Sequence, residues 1–336
     1  MVSPTQQRLS PSVIADLVGA ALRAEVAGCE ELTGGGFAAV WRADLTEGRS
    51  VVVKVGPRSD VPLLVYEAQM LKAEAEYLRL VERGAPAVPV PRLLHHSPGG
   101  DLVDGEWLVT TFRPGLPLTR LSKDRPEVDD GPVRRDLGAA IAAIHRITGD
   151  RYGYSGDRPH GATWREAFTA IVESMLADAA AWAVDLGSPP ARVRAALHRH
   201  GDLLDLVRRP ALLHFDLWDG NLLVSVGADG GARLAGLVDG ERYLFGDPLL
   251  DLVSPVILRR IEDEPDHPFL AGYAEAAGEP IVLDGPAVLR VALYRMHLYL
   301  LMSAEMPSRG MTTSADQPRQ EWVSAHLNAE LDLLGV

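Results

Sequence analysis

Residues 211–224 read ALLHFDLWDGNLLV, and this stretch constrains the fold more tightly than any other. A short polar segment carrying His214, Asp216, Asp219 and Asn221 lies between two runs of strand-forming apolar residues. Strands on either side anchor such a loop at both ends, which holds its polar side chains in place near a core. A further apolar run, Leu234 to Val238, then delivers Asp239 from a strand end, followed by Gly240. Carboxylates and a side-chain amide presented in this way are hard oxygen ligands, the kind a small divalent cation takes. The pair Asp219-Gly220 by itself is an ordinary turn, but a turn accounts for none of His214, Asp216 and Asp239.

The first third of the chain has a complementary pattern. Gly34, Gly35 and Gly36 stand inside LTGGGFAAVWRADL, followed by SVVVKVG. Glycine loops that open a helix are a dinucleotide or Walker signature. Here the following residues alternate like a strand, so the loop lies between strands, either as a plain hairpin turn or as a close backbone approach to a phosphate. Lys54, inside VVVKV, is one of only three lysines against thirty arginines. A strand-borne lysine in so lysine-poor a chain is suited to neutralising nucleotide phosphate as a compact charge. The helix expected from Leu64 to Arg83 offers Glu74 as the carboxylate that would hold Lys54, with Glu76 as the alternative. Trp107 to Phe112 reads as another strand, bringing Thr110 and Phe112 in as nucleotide-binding candidates, and Arg113-Pro114-Gly115 ends it as a hinge.

At 336 residues the chain is long enough for two lobes, expected at 1–113 and 114–336. An amphipathic helix capped by Ser10 with Pro11 at its first position opens the first lobe. The second reads as mainly helical, with helices over Arg134 to Arg146, Trp164 to Val184 and Arg192 to Val207. Ala287 to Ala304 is apolar but broken by Arg290, Arg295 and His297, so it is expected to be a buried helix rather than a membrane span. The opening MVSPTQQRLSPSV lacks the basic-then-apolar run of a signal peptide. Basic residues number 33 and acidic residues 46, a net charge of −13, which argues against a nucleic-acid partner. Residues 1–113 carry 11 basic and 14 acidic side chains and residues 114–336 carry 22 and 32, so the second lobe is the acidic one. The single cysteine, Cys29, excludes an intrachain disulfide and fits a reducing cytoplasm.

Together, His214, Asp216, Asn221 and Asp239, followed by GDPLLDL with Asp247 and Asp251, resemble the aminoglycoside phosphotransferase and fructosamine kinase group. Lys54, the Glu74 helix, Val90-Pro91-Arg92-Leu93 and the Ile144-His145 helix end match in order, so the resemblance spans about residues 30–305. It implies an α+β, protein-kinase-like fold with a small N-terminal sheet lobe and a large helical lobe. It also implies Mg²⁺-dependent transfer of a nucleotide γ-phosphate, from ATP or GTP, to a hydroxyl of a small molecule. On this resemblance Asp216 is the catalytic base, Asn221 and Asp239 are the metal ligands, and Lys54 and Glu74 are the phosphate-binding pair. His214 is structural, Asp247 and Asp251 cap the following helix, and Asp247 is also a candidate to touch the acceptor. Glu262, Asp263, Glu264 and Asp266 form a candidate acidic rim for a cationic acceptor. The third loop position holds Ala39 instead of glycine, and Asp239-Gly240-Glu241 lacks the frequent aromatic after the aspartate. The partners expected are a nucleoside triphosphate and a small acceptor, without a membrane, for a monomer or homodimer. An antibiotic is the favoured acceptor, with a metabolite kinase or an inactive nucleotide-binding protein as alternatives.

Overall fold

The computed structural model describes residues 3–228, 230–257 and 259–336. Met1 and Val2, which belong to the opening stretch read for a leader, lie outside them. After Ser10, whose hydroxyl accepts from Val13 N–H, helix α1 runs over Pro11–Leu22. Strands β1 (Val26–Glu31), β2 (Ala39–Leu45) and β3 (Ser50–Val55) follow, then helix α2 (Met70–Gly84) and strands β4 (Leu93–Ser97) and β5 (Trp107–Thr111). The strands form one antiparallel sheet in the order β1-β2-β3-β5-β4. Period-two alternation decides its faces. Trp41, Ala43, Val51, Val53 and Val109 pack against Ile14, Leu17 and Val18 of α1. Lys54 and Thr110 point the other way, toward α2 and the second lobe.

The helix expected over 64–83 is interrupted. Residues Val65–Glu67 form a short 3₁₀ turn, and Gln69 takes a left-handed conformation with φ 58° before α2 begins. Glu67 causes the break: its carboxylate is fully buried, accepts from Leu64 N–H at 2.9 Å, and is paired with Arg309 at 2.5 Å. Those bonds hold the first turn out of line with the rest.

After the hinge, β6 (Leu116–Pro117) and α3 (Leu118–Asp124) enter the second lobe, followed by α4 (Gly131–Ile144), β7 (Tyr152–Gly153), β8 (His160–Gly161), α5 (Trp164–Ala181) and α6 (Pro190–Leu204). Strands β9 (Ala211–Leu213), β10 (Leu222–Val226), β11 (Ala232–Leu237) and β12 (Leu244–Gly246) lead to α7 (Pro268–Ala277), α8 (Gly285–Ser308) and α9 (Gln317–Leu333). Two small sheets, β11-β10-β6 and β8-β7-β12-β9, carry the segment between β9 and β12. A single core joins α2 to α4, α5, α8 and both small sheets. Helix α8 is buried around its circumference, including Arg295 and His297. Among the described residues, no helix is long and apolar enough to cross a membrane.

Candidate active site

Strand β9 is buried throughout, and Leu222 and Val224 bury one face of β10, so the polar loop between them is held from each end. Asp219–Asn221 forms a 3₁₀ turn, and Arg134 on α4 grips Asp219 through two bonds of 2.5 and 2.9 Å. Asn221 donates its amide N–H to the carbonyl of Asp216 at 2.9 Å, which turns its side-chain oxygen away and leaves it available. Asp251 is fully buried and accepts from the backbone N–H groups of His214 and Phe215 at 3.0 and 2.6 Å. Phe215 can therefore hold φ at 66°, a left-handed conformation that disfavours a side chain as bulky as phenylalanine. His214 stays beneath the loop, bonded through Nε2 to the Val238 carbonyl, and burial holds its pKa below the ordinary histidine value. Asp216, by contrast, is 19 % exposed.

Asp239, at the end of β11, also has a left-handed backbone, with φ 62°. The next residue has to be glycine, because a Cβ on Gly240 would lie 2.2 Å from the Tyr77 ring of α2. This close packing brings α2 up to the 239–241 turn. Lys54 Nζ lies 2.6 and 2.8 Å from the two oxygens of Glu74 and also touches Asp239. Burial alone would lower the Lys54 pKa, but Asp239 and Glu74 reverse the shift and hold it above its ordinary value. Asp239 is half-buried against the same lysine, whose charge keeps its carboxyl below the usual range. Glu76 points elsewhere and accepts from Tyr243 at 2.8 Å.

Glu241 completes the group. One oxygen each from Glu74, Asp239 and Glu241 lie within 4.8 Å of one another. Burial and the neighbouring charges of Asp239 and Glu74 push the Glu241 carboxyl up to about 8. Its Oε2 is buried without a hydrogen-bond partner among the described residues. Three crowded carboxylates, one with an orphaned oxygen, suit a hard divalent cation, which would relieve their mutual repulsion. Arg242 follows, its guanidinium 3.7 Å from Asp216, bonded to Glu305 at 2.8 Å and stacked over Tyr66. Neither Glu241 nor Arg242 was singled out for a role from the sequence. The signal available was a second carboxylate two positions after Asp239.

Thr110 lies opposite Val52 in the register and so shares the cleft face with Lys54. Phe112 lies two residues on, half-buried, with the Arg42 guanidinium 4.7 Å from its ring centre. Gly34, Gly35 and Gly36 form the exposed connection between β1 and β2, and Ala39 is the first, buried residue of β2.

The candidate acceptor residues divide. Asp247 accepts from Leu249 N–H, Arg290 and Tyr294 at 3.1, 2.9 and 2.7 Å, so its carboxylate is fully occupied inside the lobe. The element it caps is a five-residue 3₁₀ turn, Pro248–Leu252, rather than an α-helix. Asp251 holds the 214–221 loop instead of a helix end. Glu262 is corrected from a rim position to a buried one, paired with Arg295 at 2.5 Å and close to Arg260. Glu264 is bound to Arg259 at 3.1 Å. Asp263 and Asp266 do line a surface depression, of about 460 Å³, but Arg134 and Arg259 line it too.

A family model described as "Phosphotransferase enzyme family" matches residues 29–292. No curated protein sequence matches the chain. Among solved structures, a fructosamine-3-kinase candidate from Thermobifida fusca shares 20% identity at TM-score 0.65, covering 95% of this chain and 98% of its own. Aminoglycoside phosphotransferase APH(4)-Ia, solved in ternary complex with AMP-PNP and hygromycin B, shares 19% at TM-score 0.59, covering 96% and 99%. Macrolide 2′-phosphotransferase MphH from Brachybacterium faecium shares 19% at TM-score 0.55, covering 94% and 98%. The structural likenesses establish the two-lobed kinase-like fold, and the family match spans the polar loop, the paired lysine and the acidic cluster. The chain belongs to the phosphotransferase enzyme family and is a small-molecule kinase.

Proposed function

We propose that the chain transfers the γ-phosphoryl group of ATP or GTP to a hydroxyl of an antibiotic. The observation that carries the chemistry is the convergence of Asp216, Lys54, Glu74, Asp239 and Glu241 at the junction of the two lobes. Residues 1–113 bind the nucleotide, with the 34–36 loop and Lys54 at its phosphates, and residues 114–336 bind the acceptor. Asn221, Asp239 and Glu241 would hold Mg²⁺, which when bound screens the phosphate charge. The acceptor oxygen forms a bond to the γ-phosphorus as the bond to the β-phosphate oxygen breaks. The nucleoside diphosphate leaves with that electron pair, and Asp216 takes the hydroxyl proton. Positioning and charge balance supply most of the rate, since the transition state is loose.

The acceptor reading rests on relatives that include enzymes named for aminoglycosides and macrolides. The fructosamine-3-kinase candidate, at TM-score 0.65, supports a glycated amine as the second reading. A phosphorylation screen with Mg·ATP and Mg·GTP over aminoglycosides, macrolides, nucleoside antibiotics and glycated amines tests both. The expected outcome is a phosphorylated antibiotic whose formation Asp216→Asn abolishes. Turnover of glycated amines alone would overturn the antibiotic assignment.

A further inference from the structure

The opening residues of the described chain lie across the glycine loop. Thr5 Oγ1 donates to the Gly36 carbonyl at 3.1 Å, and Gln6 Nε2 donates to the carbonyls of Gly35 and Ala38, both at 3.0 Å. These side chains are aimed by their own neighbours. Ser3 N–H donates to Gln6 Oε1 at 3.2 Å, which turns the amide nitrogen of Gln6 toward the loop. Ser3 Oγ lies 2.9 Å from Thr5 Oγ1, and Gln6 N–H donates to the Ser3 carbonyl at 3.0 Å. Ser3 and Thr5 are buried, so the segment is packed in place and is not a loose end.

The loop is braced from a second direction. Arg309, just past the end of α8, stands 5.2 Å from the Phe37 ring centre and passes beside Gly36. It is pinned by its ion pair with fully buried Glu67. Pro4 packs against Gly310, the residue after Arg309.

The result is a selective pattern of occupied and open groups. Three carbonyls of the loop are taken by the strap, whereas the N–H groups of Gly34, Gly35 and Gly36 have no acceptor among the described residues. Consecutive backbone N–H groups left open in a fixed concavity are an anion-binding arrangement. Free peptides in a glycine loop would otherwise rotate, presenting carbonyl oxygens to the same space and repelling phosphate.

We propose that Ser3–Gln6 is a positioning strap: by binding the carbonyls of Gly35, Gly36 and Ala38, it orients the loop amides toward the phosphates of the nucleotide. The inference rests on the reading that the 34–36 loop takes nucleotide phosphate. The strap touches no reacting atom and acts only through the loop.

The test measures dissociation constants for Mg·ATP, Mg·GTP and the corresponding nucleosides by calorimetry or competition, alongside thermal unfolding. Gln6→Ala, which loses two hydrogen bonds to the loop, should weaken the triphosphate about threefold, and Thr5→Val with Gln6→Ala, which loses three, about tenfold, since the loop passes only part of each contribution on to the phosphates. Nucleoside affinity and Tm should stay near wild type, and Thr5→Ser, which keeps the hydroxyl, should restore triphosphate binding. Lys54→Met separates the two levels of the argument. If that variant binds triphosphate normally, the nucleotide-site reading itself is wrong. If it loses affinity while both strap variants keep theirs, the strap proposal is overturned. Equal weakening of triphosphate and nucleoside, or a fall in Tm that accounts for the loss, would also overturn it in favour of a merely structural segment.

Discussion

The carboxylate of Asp251 holds three groups in a place water does not reach: the backbone N–H of His214 at 3.0 Å, that of Phe215 at 2.6 Å, and His145 Nε2 at 3.0 Å. Because Asp251 accepts, Nε2 of His145 carries a proton, and Nδ1 lies 3.0 Å from the Tyr273 hydroxyl. Replacing Asp251 by alanine strands two buried backbone donors and one ring donor. Each stranded donor costs about 1–3 kcal/mol, less the desolvation cost of the carboxylate that is removed with it. Phe215 would then keep its left-handed backbone, itself worth about 1 kcal/mol of strain, without the bond that fixes it. The expected loss is about 3–4 kcal/mol, read as a lower urea midpoint at unchanged slope. Asp251→Asn keeps one acceptor oxygen but turns an amide donor toward the remaining N–H, so a loss of about 2 kcal/mol is expected. In both variants kcat should fall by more than nucleotide affinity does, because Asp216 is carried on the same loop. An alanine variant within about 1 kcal/mol of wild type would refute the reasoning, since no stranding penalty could then be present.

Three further outcomes are expected. Burial, with the charge of Arg242 as a second cause, lowers His297 from 6.5 to about 4. The folded protein thus disfavours the proton: the stability is present above pH 6.5 and lost as pH falls toward 4, by about 3 kcal/mol, a dependence that His297→Leu should remove in urea titrations across that window. Asp216→Asn should lower kcat by about 10²-fold or more, with Mg·nucleotide dissociation constants within twofold of wild type, checked by steady-state kinetics and calorimetry. Asp239→Asn and Glu241→Gln should each shrink the rise in Tm that Mg·nucleotide produces, by linkage, and a rise equal to wild type would remove that residue from metal binding.

Local patterns were legible where one short segment carries its own meaning. The apolar runs around residues 211–239 determine both the strands and the polar loop, and the alternation of VVVKV puts Lys54 on one face of a sheet. The step from Lys54 to Glu74 was readable because α2 offers few carboxylates near its buried stripe. Long-range pairings were not. Arg134 reaches Asp219 across 85 positions, and Asp251 serves the backbone of a loop 36 and 37 residues earlier, with no spacing rule to mark either. Glu262 was read with its acidic neighbours as a rim, because no spacing rule links it to Arg295, 33 positions on in the helix expected to be buried. The strap was invisible for a different reason. SPTQQ is too short and polar to show periodicity, and its meaning lies in side-chain amides that bond to carbonyls.

Helix α8 runs for 24 residues, a rod of about 36 Å. Near one end Arg290 secures Asp247, midway Arg295 joins Glu262 to Glu330 of α9, and near the other Glu305 meets Arg242 while Arg309 braces the glycine loop. For protein engineering this makes α8 the element least open to modular exchange. A graft that takes the second-lobe helices from a relative brings foreign partners for Arg242, Glu67 and Phe37 in the same cassette. Chimeras divided at residues 113–115 therefore inherit mismatched contacts in the first lobe even when every residue of that lobe is native. Recombination libraries should move α8 together with Phe37 and Glu67, or leave it in place and vary only the loops that connect it.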